Sequence, residues 1–241
     1  MAERHGRGQP SVVALHGWGR SGSDWNTVLR SEDALAIDLP GHGNTPVPDS
    51  VWGSDEYAEL VLQAITAHTS GPVTLVGHSF GGRVAARIAA AHPERVAALV
   101  LTGAPLYRRG APAKPRATFR MAKRLNQAGL LPDSVVDKMR NKYGSPDYRA
   151  TSGTMRSVFV KLVNEDYQES IARIARARVP VFLIWGEHDT EVPVAVAARI
   201  HEAIGSSVLR VVPGAGHLLD PALADELRSA IAESKASQAR N

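Results

Sequence analysis

The run VTLVGHSFGG, Val73 to Gly82, carries a serine, Ser79, between glycines at positions 77 and 81. Residues of strand character lead into Gly77, and RVAARIAAAHPE after Gly82 has the composition of a helix. A chain that passes from strand to helix through a glycine-flanked serine makes a very tight turn and presents the hydroxyl. That hydroxyl is a poor nucleophile until a base takes its proton. An imidazole serves as base when a carboxylate orients it and stabilises the imidazolium that forms. Downstream, WGEHD supplies Asp189 and PGAGH supplies His217. Glu187 and Glu191 are the other carboxylates within reach of the same role. The remaining histidines are read differently: His16, His42 and His78 as structural or pocket-lining, His188 as pointing elsewhere. No H-E-x-x-H spacing occurs and the chain has no cysteine, so neither a metal nor a cofactor is expected. GHSFGG is not a phosphate loop, since it lacks both G-x-x-x-x-G-K and G-x-G-x-x-G.

These residues fall at the ends of short, continuously apolar runs. Such runs span Ser11 to Gly17, Ala34 to Pro40, Val73 to Ser79, Ala97 to Pro105, Val179 to Asp189 and Ser207 to His217. Continuous rather than alternating hydrophobicity marks strands buried on both faces of a parallel sheet. Helical patterns between them run roughly Asp55–His68, Gly81–Ala91, Pro193–Ile204 and Pro221–Ser234. The alternation predicts an α/β fold with a mostly parallel, doubly wound sheet of about six strands. In such sheets ligands bind beyond the carboxyl ends of the strands, where Ser79, Asp189 and His217 would meet. Residues 106–178 break the alternation. They hold three helix-like stretches, 117–129, 132–144 and 152–166, and no convincing strand. This predicts a core of residues 1–105 and 179–241 with an inserted helical cap at 106–178.

With LHGWG, DLPGHG, GHSFGG and PGAGH in this order, the chain resembles the α/β-hydrolases, whose nucleophile elbow is G-x-S-x-G and whose triad follows the order Ser, Asp, His. The resemblance covers nearly the whole chain. It implies a serine hydrolase with Ser79 as nucleophile, His217 as base and Asp189 as acid, and an oxyanion hole of the backbone amides of Trp18 and Phe80. Some members carry the acid one strand earlier, but here that strand ends in LVLTGAP, without a carboxylate. The family also has two antiparallel strands before its first HG. Only ten residues precede Ser11, so at most one short strand fits. Asp38 in DLPGHG is read as structural.

Composition bounds the rest. A chain of 241 residues with 44% hydrophobic and 5% aromatic content suits one large domain or a domain with an insertion. No apolar run is long enough for a membrane span and no secretory h-region is visible, so a cytoplasmic enzyme is expected. The net charge of +4 conceals a split. Tyr107 to Arg178 holds sixteen Lys and Arg against six Asp and Glu, a net of +10, and the remainder carries −6. Arg108, Arg109, Lys114, Arg116, Arg120, Lys123 and Arg124 crowd the start of this segment. Arg120, Lys123 and Arg124 would share a helix face and are the candidates for substrate binding. A basic surface of this kind suits an anionic substrate or an acidic partner such as an acyl-carrier protein. Nucleic acid is not expected, because no recognition motif accompanies the charge. LHGWG and the basic helical insertion are similar to small capped carboxylesterases such as the pimeloyl-acyl-carrier-protein methyl esterases. The expected activity is therefore cleavage of a carboxylic ester or thioester through an acyl-enzyme. Alternatives are a C–C hydrolase or a cofactor-free lyase of the menaquinone-pathway kind, to which HGWGRSGSDW and DLPGHG are also similar, and a non-catalytic ligand receptor.

Overall fold

The structure, a computed structural model, describes residues 2–107, 117–132, 134–135 and 146–238. The six apolar runs form strands: β2 (Val12–Leu15), β3 (Ala34–Ile37), β4 (Val73–His78), β5 (Val96–Thr102), β6 (Val181–Gly186) and β7 (Val208–Val212). A seventh strand, β1 (Ala2–His5), joins them. The sheet order is β1-β3-β2-β4-β5-β6-β7, parallel throughout except for β1, which runs antiparallel to β3 with Ala2 opposite Ile37. β1 is therefore the one short strand that the ten leading residues allow, and the sheet has seven strands rather than six. AERH carries no apolar signal because β1 is an exposed edge, held by the ladder that β3 offers.

Helices α1 (Asn26–Leu29), α2 (Ser54–His68), α3 (Phe80–Ala91), α4 (Ala117–Gln127), α5 (Pro146–Ala150), α6 (Gly153–Asn164), α7 (Gln168–Ala177), α8 (Val194–Ala203) and α9 (Pro221–Gln238) accompany the sheet. Side chains alternate across each strand, so each face builds its own core. Val13, Leu15, Leu75, Leu99 and Leu183 pack with α2, α3, α7 and α8 on one face. Val12, Ala14, Val76, Val100 and Ile184 pack with α1 and α9 on the other. From β2 the chain goes first to β3 on one side, then returns to β4 on the other. The carboxyl ends of these two neighbours flank the crevice where the strand order reverses.

Among the described residues of 106–178 there is no strand. The helix expected over 132–144 lies almost wholly outside the described residues. α6 and α7 do not stand apart from the core: Val158, Leu162, Tyr167, Ile171 and Ile174 belong to the same buried cluster as the sheet. A polar clamp reinforces this packing. The N-cap of α2 is Gly53, which has no side chain to cap with, so Glu56 takes the Gly53 amide and Glu165 reaches in from the α6–α7 junction to take the Ser54 amide at 2.9 Å. Glu165 also accepts from the hydroxyls of Ser54 and Tyr167. Arg87 completes the group by donating to Ser54 Oγ, Ser170 Oγ and the Asp166 carbonyl, with its guanidinium 4.5 Å from the Tyr167 ring centre.

Glu165→Ala should cost about 2–4 kcal/mol, because three donors lose a largely buried acceptor. Lys161→Ala, which breaks an exposed pair with Glu56 and a long bond to the Val51 carbonyl, should cost under about 1 kcal/mol. Urea unfolding midpoints compare the two. Equal losses would remove the clamp from this account.

Candidate active site

Ser79 has φ 50° and ψ −110°, a backbone conformation that a residue with a side chain rarely adopts. The surroundings impose it. The Ser79 amide donates to the Thr102 carbonyl on β5 at 2.9 Å, and the Ser79 carbonyl accepts from Gly82 and Arg83 as α3 begins. The flanking glycines leave no room for alternatives. A Cβ on Gly77 would lie 2.6 Å from Gly82 Cα, and one on Gly81 would lie 2.2 Å from the Leu15 carbonyl oxygen on β2. The Gly81 amide bonds the His16 carbonyl, tying the turn to the loop after β2.

That loop carries Trp18. The Leu39 amide can only donate, so His16 Nε2 accepts it at 3.0 Å, and His16 Nδ1–H donates to the Gly17 carbonyl at 2.8 Å. In a trans peptide the carbonyl and the next N–H point oppositely, so the Trp18 amide is directed away from His16. The loop runs beside the serine: a Cβ on Gly17 would be 3.5 Å from Ser79 Cβ. The Phe80 amide opens α3, where the first amides of a helix lack intrahelical partners.

His217 and Asp189 meet across the ends of β6 and β7. His217 Nδ1 is 2.8 Å from Asp189 Oδ2. Asp189 is buried, and its other oxygen accepts the amides of Glu191 and Val192 at 2.9 and 2.7 Å, which fixes the carboxylate in one orientation. Where some relatives place an acid, after β5, this chain has Gly103 at φ 56°. A Cβ there would come within 2.8 Å of His217 Cε1, so the glycine makes space for the imidazole. Of the other two carboxylates, Glu187 turns to the Gly214 amide, whereas Glu191 Oε2 lies 3.4 Å from His217 Nε2.

His78 lies behind the imidazole, with ring centres 4.9 Å apart. Its Nε2 faces the His217 backbone carbonyl at 2.9 Å and must donate, so the ring is the neutral Nε2–H tautomer. His16, His42 and His78 are all buried and His188 is exposed, in line with the sequence reading. Asp38 accepts the amides of Gly22 and Asn44, a structural role. An aromatic wall that sequence reasoning missed stands beside the loop after β2. The Trp18 ring contacts His42, Phe80 and Phe159, at centroid separations of 4.7, 5.4 and 5.1 Å. Phe159 comes from α6, inside the insertion, and Met155 one turn earlier covers Gly41. Arg120, Lys123 and Arg124 fall on α4. Among the described residues no hydrogen bond or ion pair joins Arg124 to Ser79, Asp189 or His217. Arg108, Arg109, Lys114 and Arg116 lie outside the described residues.

A model of the alpha/beta hydrolase family matches residues 12–229. The pimeloyl-[acyl-carrier protein] methyl ester esterase of Chromobacterium violaceum is 28% identical over 244 residues, covering 90% of each chain. The 2-succinyl-6-hydroxy-2,4-cyclohexadiene-1-carboxylate synthase of an Enterobacter species is 26% identical over 232 residues, covering 87% of this chain and 85% of the other. The chain spans 63%, 39% and 39% of the lengths of three further curated relatives. Among solved structures, the bromoperoxidase of Bacillus anthracis superposes with a TM-score of 0.72 over 98% of this chain and 94% of that one, at 24% identity, a likeness of fold alone.

The buried histidines make stability depend on pH. Burial, and then the neighbouring His217, hold His78 down to about 4; burial, and then His16, do the same for His42. The unfolded rings titrate near 6.5. A folded pKa below the unfolded one means that protons favour the unfolded chain. The stabilisation is whole above about pH 6.5 and is lost as pH falls towards 4. Near pH 5 the two rings should contribute a slope of about 2 kcal/mol per pH unit. Urea unfolding from pH 7 to 4.5 measures it, and His42→Gln should remove about half of that contribution. An unchanged slope would contradict the assignment.

Proposed function

We propose that this chain, which belongs to the alpha/beta hydrolase family, is an esterase that cleaves a carboxylic ester or thioester through an acyl-enzyme on Ser79. The observation that carries the reading is a serine held at positive φ at the carboxyl end of β4, with an imidazole that a buried carboxylate orients through its Nδ1 packed against the preceding residue, His78. His217 Nε2 takes the Ser79 proton as Oγ attacks the acyl carbon. The oxyanion that forms receives hydrogen bonds from the Trp18 and Phe80 amides. The imidazolium returns the proton to the leaving alkoxide or thiolate, and the C–O or C–S bond breaks. Water, activated by the same nitrogen, then releases the acid and restores the serine. In this reading residues 106–178 act as the cap. The contact of Phe159 with Trp18 supports it and gives the acyl part an apolar, aromatic surface.

Ser79→Ala should lower kcat on p-nitrophenyl esters by a factor on the order of 10⁶, as when one member of such a unit is removed, and leave the melting temperature nearly unchanged. Asp189→Asn should cost on the order of 10⁴, as in the serine-protease triad. Wild type should bind a fluorophosphonate at Ser79. Labelling of Ser79 without turnover of any ester or thioester would turn the reading towards proton abstraction, the chemistry of a lyase, or towards a ligand receptor.

The basic residues of α4 supply a second check. If an acyl-carrier protein or another acidic partner delivers the substrate, the attraction is long-ranged and screened by salt. For an ester whose acyl part is bound to the carrier, kcat/KM should then fall with ionic strength and with reversal of charge at Arg120, Lys123 and Arg124 together. A small neutral ester should respond to neither. Equal responses from both substrates would remove the carrier from the proposal.

A further inference from the structure

Glu191 is placed where no step of the mechanism above uses it. It sits in the turn between β6 and α8. Its amide is fixed on Asp189 Oδ1, the next amide on the same oxygen, and the Val192 carbonyl on the indole N–H of fully buried Trp185 at 2.7 Å. Its backbone therefore holds a set distance from the triad. Its side chain is 62% exposed, yet its carboxylate lies 3.4 Å from His217 Nε2. That separation is too long for a good hydrogen bond, and it becomes an ion pair when the ring takes up a proton. Asp189 is already committed to His217 Nδ1 and two amides, behind the ring. Glu191 faces the other nitrogen, from the solvent side.

Nε2 is the atom that hands its proton to the leaving alcohol, so that alcohol departs past Glu191. On the oxyanion side the described neighbours of the serine are aromatic: Trp18, Phe80 and, beyond them, Phe159. We infer that Glu191 determines specificity by favouring esters whose alcohol portion carries an ammonium group and disfavouring those with a carboxylate or phosphate there. The inference rests on the esterase reading and adds the charge of the leaving group to it. An ammonium on the alcohol takes up the Glu191 carboxylate and releases Nε2 to Ser79. An anionic alcohol meets like charge and leaves the carboxylate against Nε2. An anionic group on the acyl side, distant from Glu191, is not affected by it.

Three butyrates test this with the acyl group held constant: the choline ester, its neutral isostere 3,3-dimethylbutyl butyrate, and the butyrate of glycolic acid. In wild type kcat/KM should favour the cationic over the neutral ester by roughly tenfold, a ratio that shrinks as salt is added. The anionic ester should be slower than the neutral one by a similar factor. Glu191→Gln should bring the three within about threefold of each other, and Glu191→Lys should invert the order, both with unchanged melting temperatures. The same ratios in wild type and Glu191→Gln, or an equal fall on all three, would overturn the assignment. If wild type hydrolyses none of them, the esterase reading is decided separately, by turnover of other esters and thioesters. The charge preference is then read from the rates at which a choline-bearing and a neutral fluorophosphonate label Ser79. A labelling ratio indifferent to Glu191→Gln, or no labelling at all, overturns it there too.

Discussion

The contact on which the site depends is that between the turn after β4 and the end of β2. Gly81 lies so close to the Leu15 carbonyl that a single methyl group cannot enter, and its amide closes a hydrogen bond to His16. This approach fixes Ser79 in a conformation costing of order 1–3 kcal/mol, which survives only because the surroundings over-determine it. It also sets the Trp18 loop and the first turn of α3 side by side. The sheet order makes this possible, since β2 and β4 are neighbours although β3 lies between them in sequence. Had the chain crossed elsewhere, the serine and the loop after β2 would open on different crevices.

The same crowding governs the electrostatics. Four imidazoles, His16, His42, His78 and His217, gather around the turn, and each has a distinct hydrogen-bond duty. Burial keeps His42 and His78 neutral, so these two add no positive charge beside the ring proposed to become an imidazolium. His78 spends its only N–H on the backbone of His217 and so anchors the loop that carries that imidazole. The carboxylates divide in the same way: Asp189 behind the ring, Glu187 on a backbone amide, Glu191 before the ring.

The strands that position the site could be read from the sequence because a doubly covered parallel sheet writes itself as unbroken apolar runs. Ser79, Asp189 and His217 stood out as candidates because each lies where such a run stops. β1 could not, since AERH owes its extended form to a ladder with β3 rather than to burial. The role of α6 and α7 was also hidden. An amphipathic helix looks alike whether its apolar stripe meets a cap or a core, and only the assembled structure shows Val158 and Ile174 among the residues packed on the sheet. Phe159 was illegible, and Glu191 was visible only as an alternative acid, for a related reason: each is a single side chain whose meaning depends on a neighbour distant in sequence or on which side of a ring it faces.

The clamp at Glu165 has a consequence for how such a chain can vary. Leu106, at the end of β5, and Val158, on α6, are both locked into one buried cluster, and Glu165 bolts the returning end to α2. The ends of the intervening stretch are thus held together, and doubling the length of a stretch closed in this way adds only about 0.6 kcal/mol of closure entropy. Stretches of other lengths and charges can therefore be carried between these anchors at little cost to the turn at Ser79. The length and charge of that stretch can diverge while the turn at Ser79 and the Asp189–His217 pair stand still.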